Sequence, residues 1–167
     1  EESEQVAKMQ KLRRAVERCG ATVLLGNCDY MDIIRRHPPD LLVWAAGAVS
    51  KFPSFEGLDG QYHCTALEVL AGTKEVRGPR VLVIGAGRVG LELAERLGRE
   101  GHEVVATKRT DPVGGMMEMI SRKLALARIE KLDSVTLMPH TTVKKFWQDR
   151  VEAEQDGAAA GTFRGTR

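Results

Sequence analysis

Val81-Leu82-Val83-Ile84-Gly85-Ala86-Gly87-Arg88-Val89-Gly90 sets an unbroken apolar run directly against a Gly-x-Gly-x-x-Gly turn. The apolar run suits a buried strand, and the turn suits the entry to a helix. In such a unit the first glycine, Gly85, permits the tight turn, and the second, Gly87, admits a dinucleotide pyrophosphate close to the backbone. The third, Gly90, lets helix and strand pack closely. The helix start adds unpaired N–H groups and about half a positive charge, which favour an anion. The motif is short, so its surroundings decide. Leu91, Leu93, Ala94 and Leu97 continue at helical spacing, Gly101 supplies a stop, and Glu103 to Thr107 reads as the next strand. Strand, turn, helix and strand within about 30 residues form a βαβ unit. The competing reading is a βαβ unit whose glycines serve packing alone.

The end of the second strand carries the next decision. In NAD-type sites an acidic residue about 20 positions beyond the glycines binds the ribose hydroxyls. Here the strand ends on Thr107-Lys108-Arg109. Two adjacent cations suit the 2′-phosphate of NADP, which Arg109 can meet with a planar fork of donors. The alternatives are that both are solvated loop charges, or that the strand ends later and Asp111 serves an NAD site.

Composition bounds the partners. The 167 residues are 43% hydrophobic and 29% charged, with a net charge of +2, which is ordinary for a globular domain. There is no dense basic block, so neither nucleic acid nor an anionic membrane is the indicated partner. No stretch approaches the roughly 18 apolar residues of a membrane span, and Glu1-Glu2-Ser3-Glu4 is not the start of a signal peptide, so the expected location is the cytoplasm. Cys19, Cys28 and Cys64 contain no Cys-x-x-Cys pair and read as small buried side chains. His37, His63, His102 and His140 lack metal-ligand spacing, and no metal is expected.

Outside the central unit, Val6, Met9, Leu12, Val16 and Cys19 mark one face of an opening helix stopped near Gly20. Ala21 to Leu25 reads as a short strand, Met31 to Arg36 as helical turns ended by Pro38-Pro39, and Leu41 to Ala46 as a second apolar strand. Val49 to Gly60 is loop-like, Leu67 to Leu70 a helical turn, and Gly78-Pro79 the border of the βαβ unit. Beyond the Pro112-Val113-Gly114-Gly115 loop, Met116, Met117, Ile120, Leu124, Ala127 and Leu132 predict a long amphipathic helix with the methionines as core filling. Val135–Met138 and Thr142–Phe146 are the last strands expected, and from Asp149 the aperiodic sequence predicts a disordered tail.

The order of these pieces resembles the two-dinucleotide-binding flavoprotein oxidoreductases. The similarity is to the flavin-nucleotide modules of 2,4-dienoyl-CoA reductase, trimethylamine dehydrogenase and related NADH:flavin oxidoreductases. In that family a FAD-binding domain is split by an inserted NAD(P)H-binding domain. Before the insert stands an apolar strand ending in Ala-Thr-Gly, then a Pro-containing loop and a Pro-Gly-Leu-type turn. Leu41 to Gly47 is similar to that strand, with Ala45-Ala46-Gly47 at its end, and Pro53 through Gly57-Leu58-Asp59-Gly60 is similar to the loop. Gly85 to Glu92 then resembles the fingerprint of the insert, and the likeness runs roughly from residue 5 to 146. Ala46 departs from the family's Thr, which weakens flavin contact at that loop. Lys108-Arg109 followed by Val113-Gly114-Gly115 also looks like the end of a FAD fingerprint, but a lysine cannot accept hydrogen bonds from a ribose hydroxyl pair, and NAD(P)H is the preferred ligand.

The resemblance implies an α/β, Rossmann-like three-layer fold with a parallel sheet. An NAD(P)-binding domain would occupy 61–148, after a partial FAD-domain segment at 1–60 and before a tail at 149–167. The family's first Gly-x-Gly-x-x-Gly and closing Gly-Asp motifs would lie outside Glu1–Arg167, so a partial module is expected, inactive alone, whose parent is an NAD(P)H-dependent flavoprotein oxidoreductase. Its partners would be a nicotinamide dinucleotide and the parent's missing flavin-binding segments. Gly85, Ala86, Gly87, Arg88, Val89 and Gly90 would form the pyrophosphate turn, and Lys108 with Arg109 would take the 2′-phosphate of NADP(H). Ala46 and Gly47 would stand at the FAD loop. Glu92 lies near the nicotinamide by resemblance, or is a solvated helix residue. No catalytic acid, base or nucleophile is needed here, because a flavin accepts the hydride. A non-catalytic nucleotide-binding or regulatory module, or a fingerprint for FAD or NAD(H), are the competing readings.

Overall fold

The computed structural model describes residues 2–26 and 29–164, and it divides between Gly47 and Ala48 into two compact units. No helix among the described residues is long and apolar enough to cross a membrane.

In the first unit, α1 spans Glu2–Arg18, and its stripe of Val6, Met9, Leu12 and Val16 is exposed. α2, Tyr30–Arg36, begins where the Asp29 carboxylate accepts the Asp32 N–H at 3.0 Å. Tyr30 and Trp44 stack edge to face with centroids 4.8 Å apart. The strands expected at Ala21–Leu25 and Leu41–Ala46 do not form. A strand exists through its ladder, and the described residues of this unit offer no partner strand, so apolar content alone does not make one. The expectation of buried cysteines fails at Cys19, which is exposed, and at Cys64, which is half-buried; Cys28 lies outside the described residues.

The first regular elements of the second unit are a 3₁₀ turn, Leu58–Gly60, and α3, Ala66–Leu70. A capping box starts α3: Thr65 Oγ1 accepts the Glu68 N–H at 3.2 Å and Glu68 Oε2 accepts the Thr65 N–H at 2.7 Å. Then come β1 (Arg80–Ile84), α4 (Arg88–Arg99), β2 (Glu103–Thr107), α5 (Met119–Ile129) and β3 (Val135–Met138). The three strands form a parallel sheet in the order β1-β2-β3. Ile84 pairs with Thr107 and Thr107 with Met138, so the strands end in line. This is the Rossmann-like α/β arrangement expected from the sequence.

α4 buries Gly90, Leu91, Leu93, Ala94, Leu97 and Gly98 in a core with Val83, Val104 and Ala106 of the sheet. Burying each leucine contributes about 1.5–3 kcal/mol. The approach of helix to strand depends on Gly90, where a Cβ would lie 1.9 Å from Gly85 O.

α5 is shorter than its apolar pattern predicts. Glu118 caps it by accepting the N–H groups of Ile120 and Ser121, both at 2.9 Å, which leaves Met116 and Met117 in the preceding turn. Ala125 and Ile129 form its buried face, while Met116, Met119, Ile120 and Leu124 are exposed. The methionine cluster is therefore not core filling, apart from the partly buried Met117.

β4 (Thr141–Phe146), β5 (Arg150–Gln155) and β6 (Ala158–Arg164) form a separate antiparallel sheet in that order. This replaces the tail expected from residue 149, of which 165–167 lie outside the described residues. Asp156 (φ 51°) and Gly157 (φ 79°) are both left-handed, the geometry of a two-residue hairpin turn, and they pair Gln155 with Ala158. The loop before residue 60 also packs with this unit, since the Phe146 N–H donates to Glu56 O at 2.8 Å and Leu58 is buried. The compact unit thus starts nearer residue 48 than 61.

Glu95, 13% exposed, joins α4 to α5 by accepting from Arg128 Nε at 2.7 Å and from Arg99 Nη2 at 2.8 Å. The Arg128 guanidinium, helped by Arg99, holds the Glu95 carboxyl below the usual carboxylate range despite its burial. A depressed folded-state pKa means that this contribution is fully present above the unfolded value of roughly 4.3 and is lost as pH falls through the folded value.

Two stability measurements follow from these contacts. Glu95→Gln should lower the unfolding free energy by about 1 kcal/mol at pH 7, the solvent access of both arginines limiting the effect. The deficit should shrink below about pH 4 in urea titrations, and a deficit that does not change with pH would contradict the assignment. Gly90→Ala should cost about 3 kcal/mol, read as a fall in urea midpoint at unchanged slope; an unchanged midpoint would show that α4 does not sit this close to β1.

Candidate functional site

The site lies at the aligned C-terminal ends of β1 and β2, where the chain leaves the sheet for α4. Gly85 takes φ +108°, a region open to glycine and closed to most side chains. Its N–H and that of Ala86 both donate to Thr107 O, at 2.9 and 2.8 Å. The turn is thereby tied to the end of β2.

These bonds divide the motif. Gly85 and Ala86 have already committed their N–H groups, so they shape the turn. Gly87 caps α4 with no side-chain hydrogen bond, and the first backbone bond of the helix is from Leu91 N–H to Gly87 O at 2.9 Å. The N–H groups of Gly87, Arg88, Val89 and Gly90 therefore have no acceptor among the described residues. A Cβ added at Gly87 would meet nothing within 4 Å. Open space beside open donors at a positive helix end fits a pyrophosphate.

Lys108 and Arg109 follow β2 directly, as the sequence predicts. The Lys108 backbone is fixed on both sides: its N–H donates to Met138 O at 2.9 Å and its carbonyl accepts from Thr141 N–H at 2.8 Å. The Lys108 side chain is half-buried and Arg109 is exposed. Neither pairs with a carboxylate among the described residues, so both charges are available to a ligand. Asp111 stands four positions beyond the strand end and accepts the Val113 N–H at 3.3 Å. β2 therefore ends where the sequence places it, and Asp111 lies in the loop beyond it.

Glu92 sits one turn into α4 and pairs with Arg88 at 3.1 Å, an exposed i,i+4 contact that contributes only a few tenths of a kcal/mol. The structure thus brings Gly85 to Gly90, Glu92, Lys108 and Arg109 to one end of the second unit. Ala46 and Gly47 belong to the first unit, where Gly47 takes φ +76° at the end of the irregular 41–46 segment.

The sequence reading missed one part of the site. Gly114 N–H donates to Ala86 O at 2.9 Å, so the Val113-Gly114-Gly115 loop braces the turn at a second point besides Thr107. The paired glycines were visible, but nothing in their spacing tells which carbonyl they reach. His63 and His102 set their Nδ1 atoms against backbone carbonyls, Gln61 O and Gly78 O, and the described residues contain no His, Cys, Asp and Glu cluster able to hold a metal ion.

Comparison with known proteins places the chain in a family. Over 91% of its length the chain is 29% identical to a bilirubin reductase from Mediterraneibacter gnavus, and it spans 23% of that protein. A solved 2-naphthoyl-CoA reductase superposes with a TM-score of 0.70 at 22% identity, covering 91% of this chain and 22% of that one. The water-forming NADH oxidase from Lactobacillus brevis, bound to NADH, gives a TM-score of 0.50 at 23% identity, over 70% of this chain and 27% of the oxidase. The chain therefore spans about a quarter of the length of these relatives. The family model described as pyridine nucleotide-disulphide oxidoreductase matches residues 27–162. The chain belongs to the pyridine nucleotide-disulphide oxidoreductase family, flavoprotein oxidoreductases with dinucleotide-binding domains.

Proposed function

We propose that this chain is the pyridine-nucleotide-binding portion of a flavin-dependent oxidoreductase of the 2,4-dienoyl-CoA reductase kind, and that it positions NADPH for hydride transfer to a flavin. When bound, the nicotinamide would supply the hydride and a flavin of the parent protein would accept it. The chain's own residues bind and orient. The open N–H groups of Gly87, Arg88, Val89 and Gly90 hold the pyrophosphate, and Gly85 and Ala86 shape the turn that presents them. Lys108 and Arg109 take the 2′-phosphate. By the family resemblance Glu92 would lie near the nicotinamide half, and Ala46-Gly47 would belong to the flavin loop of the parent protein. The flavin site is completed by segments of that parent outside this chain.

The observation that supports NADPH over NADH is the pair of cations immediately after β2, Lys108 and Arg109, which pair with no carboxylate among the described residues. A charge-assisted hydrogen bond contributes about 1.5–3 kcal/mol, or roughly ten- to a hundredfold in affinity.

Thermal unfolding with NADPH, NADH and FAD added separately tests the assignment, since a ligand at about 100 times its Kd stabilises by about 2.7 kcal/mol. NADPH should raise Tm most, and Lys108→Glu should reduce that rise to the level given by NADH. A larger shift with NADH in the unmodified protein would overturn the NADPH assignment. Gly87→Ala separates ligand binding from folding, because its Cβ enters open space. It should change stability by less than about 1 kcal/mol while weakening NADPH at least tenfold, and an unchanged affinity would remove the pyrophosphate from this turn.

A further inference from the structure

Arg122, in the first turns of α5, belongs to no part of the site identified from sequence. Its Nε donates to Val113 O at 2.6 Å, and Val113 is 7% exposed. The next residue, Gly114, takes φ +69°, and a Cβ there would lie 3.0 Å from Leu91 Cδ1, 3.2 Å from Met117 Sδ and 3.4 Å from Arg122 Cγ. The loop peptide is therefore enclosed by the α4 core, the turn before α5 and the Arg122 stem. From the same residue the Gly114 N–H reaches Ala86 O at 2.9 Å. Arg122 is half-buried and pairs with no carboxylate among the described residues. A half-buried cation hydrogen-bonded to a neutral carbonyl gains no ion-pair attraction. What the contact does is fix one peptide.

That peptide controls a second one. Ala86 is held by its N–H to Thr107 O and by its carbonyl to Gly114 N–H, and the direction of the following Gly87–Gly90 donors depends on both anchors. We propose that Arg122 is a positioning residue for the dinucleotide turn: by fixing the Val113–Gly114 loop it sets Ala86, and with it the N–H groups that receive the pyrophosphate. The inference rests on the reading that this turn binds a dinucleotide. Arg122 acts through the loop, so its effect falls on the pyrophosphate common to all dinucleotides and not on the 2′-phosphate.

The test combines two variants and two readouts. Arg122→Met keeps the packing stem against Gly114 and removes the donor, and Arg122→Lys keeps a donor and the charge. In the ligand-free protein, Arg122→Met should speed amide exchange at Gly114 at least tenfold while Leu97 and Val104 exchange as before. It should raise the Kd for NADPH and for ADP-ribose alike, by about tenfold, and Arg122→Lys should recover part of both effects. Equal acceleration at Leu97 and Val104 would mean general destabilisation and would overturn the proposal, as would faster Gly114 exchange with unchanged Kd values. A loss confined to NADPH would instead make Arg122 a 2′-phosphate ligand and also overturn it. If the unmodified protein bound neither ligand, the dinucleotide reading itself would fail and take this inference with it. Binding by the unmodified protein with both readouts unaffected in Arg122→Met would sink the Arg122 assignment alone.

Discussion

The missing side-chain carbon at Gly90 governs the position of everything near the turn. With a Cβ 1.9 Å from Gly85 O excluded, α4 can seat directly on β1, and Leu91, Ala94 and Leu97 join one buried core with Val83, Val104 and Ala106 of the sheet. The same contact places the helix start beside the ends of β1 and β2. The core and the candidate site are thus two results of one close approach, and a residue that separates the layers would disturb both.

Backbone accounting refines the Gly-x-Gly-x-x-Gly motif. Gly85 and Ala86 are bound to the sheet through Thr107 O, and Ala86 is bound again through Gly114 N–H. Rigidity is concentrated in the first half of the motif and open hydrogen-bonding capacity in the second. A preorganised set of donors needs little ordering when an anion arrives. Lys108 shows the same division: its backbone is locked between Met138 and Thr141, while its charge pairs with no carboxylate among the described residues.

What the sequence revealed follows from how local each signal is. The β1–α4–β2 unit was legible because its apolar runs, glycines and stop signal all act within a few residues, and β3 was legible from Val135–Met138. The strands expected at 21–25 and 41–46 were not borne out because a ladder needs a neighbour, and apolar content does not report whether one exists. The methionine run before α5 suggested a longer helix than Glu118 permits. The β5–β6 hairpin was hidden by alanines, which are weak strand formers, although Asp156-Gly157 is a recognised two-residue turn signal that should have outweighed them. In the site, Lys108 and Arg109 stand where strand counting put them. The Gly114–Ala86 and Arg122–Val113 contacts were invisible, since they join residues 28 and 9 apart in the chain whose meeting depends on the packing of α4 and α5.

The two sheets of the second unit differ in how far along the chain their partners lie. Each neighbouring pair in the parallel sheet is separated by a helical crossover, whereas β4, β5 and β6 are joined by tight turns. A hairpin closes in about 1–10 μs, while pairings across long loops pay their closure entropy first and form later. The C-terminal meander can therefore assemble from its own sequence neighbours before β1 has found β2. The Gly85–Gly90 turn, which needs β1, β2, α4 and the 112–115 loop together, would then be among the last parts of this unit to acquire its native geometry.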